Sequence, residues 1–161
     1  MGSVIKQTYG NIEYIIIDGH SSDNSVEIIK KIALDKRIIF KWLSEPDKGI
    51  YDAMNKAIAL ATGEWINFIN AGDSFYDLDV LAKPLLNKTI VPDILYGRSM
   101  YVLNGNDIGC PQQKINHFYQ GVLIGHQATF VVLELTKSNL CSLQYRVSGY
   151  FTFFFNIYGR L

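Results

Sequence analysis

The stretch Ile12-Glu13-Tyr14-Ile15-Ile16-Ile17-Asp18-Gly19 is a short apolar run rich in β-branched residues and closed by Asp-Gly, which reads as a buried strand. Ser21-Ser22-Asp23-Asn24-Ser25 then supplies N-cap candidates for a helix with its apolar stripe at Val26, Ile29, Ile32 and Ala33. Arg37–Leu43 is a second strand. Pro46 and Gly49 make Ser44–Gly49 a loop, and Ile50–Ala61 repeats apolar residues at helical spacing until Thr62-Gly63. Glu64–Ile69 is the third strand. Strand, helix, strand, helix, strand at this spacing predicts βαβ units in an α/β fold, an open, mostly parallel sheet with flanking helices.

The remainder is less periodic. Asp77–Leu86 reads as a helix crossed by Pro84, and Asp93–Tyr96 and Met100–Leu103 as strands around a Gly97-Arg98-Ser99 turn. Asn104–Gln113 is polar and glycine-rich, the composition of a mobile loop. Ile115–Ile124 fits more than one element, Gln127–Leu133 reads as a strand and Glu134–Leu140 as a short helix. With no internal repeat, low-complexity tract or linker, residues 1–161 are expected to form one domain.

Composition narrows the class. Hydrophobic residues at 48% with charged residues at 19% belong to an ordered globular chain. Lys+Arg and Asp+Glu number 15 each, so no net field draws in nucleic acid. Cys110 and Cys141 lack a CxxC or zinc spacing and read as thiols of a reducing compartment. The first ten residues show no secretory signal, and no run reaches the roughly 18 apolar residues of a spanning helix. These features point to a cytoplasmic location. The aromatic end, Tyr150–Tyr158, is unusual for a solvated terminus. It is expected to pack on the core, pack on a partner, or stand where further covering residues would follow; we favour the last.

Ligands of an open α/β sheet bind at the carboxyl ends of its strands, where Asp18 and Asp73 can meet over one crevice. A divalent cation carrying phosphates suits such a pair, because phosphate and water complete its shell beside one or two carboxylates. In Asn70-Ala71-Gly72-Asp73, Gly72 lets a diphosphate approach the backbone closely. Glu45, Asp47 and Lys48 stand beside the helix N-terminus at Ile50, and the helix end together with Lys48 favours an anion such as phosphate. His126-Gln127 offers an imidazole and an amide to a sugar or phosphate. Each has a structural alternative: a turn-capping Asp18, a helix-capping Asp73, a solvated loop at 45–49, a structural His126. His20 and His117 have no metal-ligand spacing with His126. No GxGxxG or GxxxxGK[ST] cradle follows the first strand.

These residues, together with Ser44-Glu45-Pro46-Asp47-Lys48-Gly49-Ile50-Tyr51-Asp52-Ala53-Met54-Asn55-Lys56-Ala57 and Ala61–Asp73, resemble family 2 glycosyltransferases of the GT-A fold from about Ser3 onward. The resemblance implies transfer of a sugar from a nucleotide-sugar donor (UDP- or another NDP-sugar) to a saccharide or lipid-linked acceptor, in polysaccharide or cell-surface glycan synthesis. It implies a nucleoside contact at Asp18, further donor contacts at Glu45, Asp47, Lys48, Asn55, Asn70, His126 and Gln127, and Mn2+ or Mg2+ on Asp73. Inverting transfer needs a general base. The family's Asp for that role aligns with Tyr150, and tyrosine, with a pKa of about 10, is a poor base at neutral pH. The family's first strand has no counterpart here, which leaves an exposed sheet edge. Slow or absent turnover is therefore expected. Peripheral association with the inner face of the membrane and a homodimer are further expectations. The alternative is a catalytically inactive remnant acting as a binding or oligomerisation module.

Overall fold

The opening β-branched run forms a strand, β1 (Glu13–Asp18), which follows a short helix, α1 (Gly2–Ile5). The computed structural model describes residues 1–34, 39–86, 92–104, 106–109, 125–145 and 149–158. After β1 come α2 (Ser25–Ile32) and β2 (Ile39–Ser44), and β2 pairs in parallel with β1 so that Asp18 lies opposite Ser44. The Asp23 carboxylate accepts a hydrogen bond from Ser25 N–H at 2.9 Å, whereas Asn24 at the N-cap makes no such bond. Ile29 of the expected stripe is buried.

Helix α3 (Ile50–Leu60) buries Tyr51, Met54 and Ile58, the i, i+3 and i+7 positions of one face. Ile50, expected within the stripe, is exposed at the first helical position. β3 (Trp65–Asn67) follows, then α4 (Ala82–Leu86). The helix predicted from Asp77 thus starts five residues late. Asp77 accepts a bond from Asp79 N–H at 2.8 Å, an Asx turn that competes with helix initiation.

The second half holds β4 (Ile94–Tyr96), β5 (Met100–Leu103), β6 (Asn106–Gly109), β7 (Thr129–Val132), α5 (Leu133–Lys137) and α6 (Gly149–Tyr158). Here the pairing is antiparallel: β3-β7-β4 form a second sheet in that order, and β5 and β6 pair with each other in a third. The α/β fold with a parallel pair and flanking helices is as expected; its parallel part is β1–β2, and the whole is mixed. The loop expected from Asn104 contains β6, whose weak strand formers are recruited by pairing with β5. The β7 strand starts two residues later than expected because His126–Ala128 first make one 3-10 turn. The readings made for 110–124, including Cys110 and His117, lie outside the described residues, as do 37 and 38.

The aromatic end is core. Tyr150, Phe153, Phe154 and Ile157 of α6 pack with Tyr51, Met54, Ile58, Phe68, Val131 and Cys141. This overturns the expectation of an uncovered tail: 150, 153, 154 and 157 are one helical stripe, and only Phe155 among the described phenylalanines of α6 stays exposed. Burial pushes the Cys141 thiol up to about 11, the behaviour of an inert core thiol.

Gly149 lets α6 seat. A Cβ there would lie 2.7 Å from the Tyr51 ring and 3.0 Å from the Ser142 carbonyl oxygen. Gly149→Ala is expected to lower stability by about 1–3 kcal/mol despite alanine's better helix propensity, because overpacking wins. Urea denaturation checks this.

Candidate functional site

Two groups of residues line the carboxyl ends of the strands. The first surrounds Asp18, a buried carboxylate with 7% exposure. Its oxygens accept bonds from Ser21 N–H at 3.1 Å, from the Ser21 hydroxyl, and from the Ser44 hydroxyl at 2.7 Å. Glu45 N–H donates to the Asp18 backbone carbonyl at 3.0 Å. The Ser21 hydroxyl first, then that of Ser44, holds the Asp18 carboxyl below the usual range, against burial that raises it. The folded pKa is thus below the unfolded value of about 3.9, so this stabilisation is complete above that value and is lost as pH falls through the folded one. The wild type should therefore lose more stability below about pH 4 than Asp18→Asn does, read as urea midpoints across pH.

Asp47 joins this group, since a Cβ on Gly19 would fall 2.6 Å from Asp47 Oδ2. Its other oxygen accepts Gly49 N–H at 2.8 Å, and Asp52 accepts Lys48 N–H at 2.9 Å. The chain's own carboxylates therefore occupy the Lys48 and Gly49 amides just before α3. An anion at this helix end would also meet the exposed Lys48 side chain. Glu45 is paired with Lys56 at 2.9 Å.

Asn55, expected among the donor contacts, has another task. Its Nδ2 donates to the Cys141 carbonyl and its Oδ1 accepts Cys141 N–H, both at 2.9 Å. The amide clamps α3 to the segment leading into α6.

The second group surrounds the loop after β3. Asp73 N–H donates to the Asn70 carbonyl at 3.1 Å, closing a turn in which Gly72 has φ 93°, a left-handed conformation that favours glycine. Among the described residues nothing stands within 4 Å of where a Gly72 Cβ would be, so they leave that side of the turn open. Asn70 Nδ2 lies 2.7 Å from His126 Nε2. The amide donates, which makes Nε2 the acceptor of a neutral ring. Burial pushes the His126 pKa down and keeps it neutral, while the charge of Asp73 pulls the other way. Gln127 stands in the same 3-10 turn.

Asn67, which sequence reasoning passed over, holds that turn in place. Its Nδ2 reaches the carbonyls of Gln127 at 3.0 Å and Thr129 at 2.7 Å. The available signal was an amide inside the apolar run Trp65-Ile66-Asn67-Phe68-Ile69.

Tyr150, at the expected base position, is 7% exposed and boxed by rings. His126 lies at 4.7 Å, Phe154 at 4.5 Å and Phe153 at 5.3 Å between centroids. It is a wall of the His126 pocket. Among the described residues no hydrogen bond or ion pair joins Asp18 to the 70–73 loop.

The donor set at Asn70–Asp73 fits a hard cation that brings its own ligands. Among the described residues no three His, Cys, Asp or Glu side chains group as a complete metal site. Asp73 offers one carboxylate, and a diphosphate and water would supply the rest.

The family model described as "Glycosyl transferase family 2" matches residues 1–134. The chain belongs to glycosyl transferase family 2. Among curated relatives it is 37% identical over 101 residues to a PGL/p-HBAD biosynthesis glycosyltransferase of Mycobacterium bovis (strain BCG / Pasteur 1173P2), covering 60% of this chain and 39% of that protein. It is 38% identical over 135 residues to an uncharacterized glycosyltransferase of Mycobacterium tuberculosis (strain ATCC 25618 / H37Rv), covering 80% and 50%. The chain thus spans half or less of the length of these family 2 relatives. Its fold matches S. aureus TarS 1-349 in complex with UDP, with a TM-score of 0.76, 19% identity and coverage of 98% of this chain and 49% of that one. The TarS structure with UDP-GlcNAc matches at a TM-score of 0.67 and 19% identity, over 88% and 43%. Among the described residues no helix is long and apolar enough to cross a membrane.

Proposed function

We propose that this family 2 chain binds a nucleotide-sugar donor at the strand ends, with the nucleoside toward Asp18 and the diphosphate against the Asn70–Asp73 turn. One observation carries the reading: the open Gly72 turn presents Asp73 while Asn70 is held by a neutral His126. The TarS structures, which carry UDP and UDP-GlcNAc by their own descriptions, favour a uridine nucleotide as the first donor to try.

A bound Mn2+ or Mg2+ would neutralise charge developing on the departing diphosphate. This chain's residues do the rest. Asp73 positions the diphosphate end, Gly72 keeps the approach clear, and the Lys48 ammonium adds positive charge at the rim. The transfer is to a saccharide or lipid-linked acceptor with inversion, within cell-surface glycan synthesis, and a lipid-linked acceptor would bring the chain to the inner face of the membrane. An inverting base must take the acceptor proton, and the buried Tyr150 phenol does not serve. Turnover by residues 1–161 alone is expected to be slow.

The burial of Tyr150 also favours a second reading, a non-catalytic module that binds or oligomerises. Calorimetry with UDP and Mn2+, run beside a UDP-release assay with UDP-GlcNAc, separates the two. Metal-dependent UDP binding with slow release supports the donor site. A stable dimer in light scattering that ignores UDP and Mn2+ supports the module. Fast UDP release would place a base elsewhere in the chain.

A further inference from the structure

Trp65-Ile66-Asn67 is the whole of β3, and an amide in so short an apolar strand is costly to bury unless it is bonded. The two hydrogens of Asn67 Nδ2 go to distant main-chain acceptors, the Gln127 carbonyl at 3.0 Å and the Thr129 carbonyl at 2.7 Å. The His126 carbonyl, at 3.4 Å, lies at the limit of a third bond and accepts Thr129 N–H as well. The other carbonyls of this turn are also met. Gly125 accepts Ala128 N–H at 3.1 Å and the Thr129 hydroxyl at 2.9 Å, and Ala128 accepts Gly97 N–H at 2.7 Å. A 3-10 turn holds itself weakly, so bonds from outside it set its orientation.

Asn67 and Asn70 leave the same segment three residues apart and reach that turn at two points. Asn67 grips its backbone, while Asn70 Nδ2 lies 2.7 Å from His126 Nε2. A single attachment would let the imidazole swing with the turn; two fix its direction. The Tyr150 ring, at 4.7 Å between centroids, bounds it on another side. Asn67 Oδ1 is buried and has no partner among the described residues. An unbonded buried acceptor lowers stability, so a strand optimised for stability alone would not carry an amide here. What the amide supplies is a donor with two hydrogens.

We propose that Asn67 is a positioning residue of the donor site. Its grip on the Gln127 and Thr129 carbonyls fixes the imidazole against Asn70, and with it the turn that presents Asp73 to a metal-bound diphosphate. This rests on the donor reading given above. Groups one step removed from a bound cation typically alter its affinity by about 10- to 100-fold.

The test uses the full chain carrying Asn67→Leu, which keeps the strand apolar and donates no hydrogen bond. Asn67→Ser is the second variant should the first fail to fold. Asn70→Ala gives the spectrum of an imidazole that has lost its Asn70 bond, and Ile29→Val is a core change in α2. His126 ring resonances are recorded by NMR without nucleotide or metal, at a pH where the ring is neutral. UDP affinity with Mn2+ is measured separately by calorimetry. In the Asn67 variant the ring resonances are expected to move toward those of Asn70→Ala, and UDP binding to weaken about tenfold. Ile29→Val should lower the urea midpoint and leave both readouts where they are. Wild-type ring resonances in a folded Asn67 variant would overturn the proposal, and so would an unchanged UDP affinity. A wild type that binds no UDP would instead show the donor reading to be at fault, and the ring resonances would still decide whether Asn67 places His126.

Discussion

Asp73→Ala is expected to abolish Mn2+-dependent binding of UDP, weakening it by at least about 100-fold in calorimetry. The size follows from the donor set. Asp73 is the single carboxylate of the Asn70–Asp73 turn, and among the described residues no complete cluster stands ready to replace it. A cation bound with diphosphate and water needs that one anchor, and alanine leaves the ion to the nucleotide alone. Chelator should weaken wild-type binding and leave the variant unchanged. Unchanged affinity in Asp73→Ala would remove the residue from the site. Asn70→Asp offers a second check: a carboxylate at 70 cannot donate to His126 Nε2 as the amide does at 2.7 Å, so it should instead draw a proton onto the ring. The His126 titration followed by NMR should then move upward.

Phe154→Ala should cost about 3–5 kcal/mol in urea denaturation, a large share of a stability of roughly 5–15 kcal/mol. Phe154 is 1% exposed and meets the Tyr150 ring edge-on at 4.5 Å and that of Phe153 at 5.5 Å. Truncation removes both ring contacts and leaves a cavity beneath the wall of the His126 pocket. Phe155→Ala, one residue on and 47% exposed, should cost less than about 1 kcal/mol. Equal costs for the two would show that α6 does not use this face against the core. The pair also separates stability from site geometry, because only Phe154 backs the rings that contain His126.

Parts of this site could be read from the residues directly. Asn70-Ala71-Gly72-Asp73 announces a turn, and the structure supplies the left-handed Gly72 that such a turn requires. Asp18 was legible as the end of a strand, but its hydroxyl partners were not. Ser44 reaches it only because β2 lies in parallel register beside β1. Asn55 shows the opposite case. Its place in a specific motif suggested ligand contact, while the fold uses both polar atoms of its side chain to fasten Cys141, 86 residues away.

What the chain order alone determined was the βαβ beginning, the loops that follow its strands, and the residue types able to hold a phosphate-bound cation. Periodicity and turn chemistry act over a few residues, so they are visible without coordinates. Only tertiary structure decided that the aromatic end is core, that β7 enters antiparallel between β3 and β4, and that His126 locks Asn70 across 56 residues. Those outcomes depend on which distant apolar faces and backbone edges find one another. Burial and long-range hydrogen bonding choose among such partners, and no local pattern carries that choice.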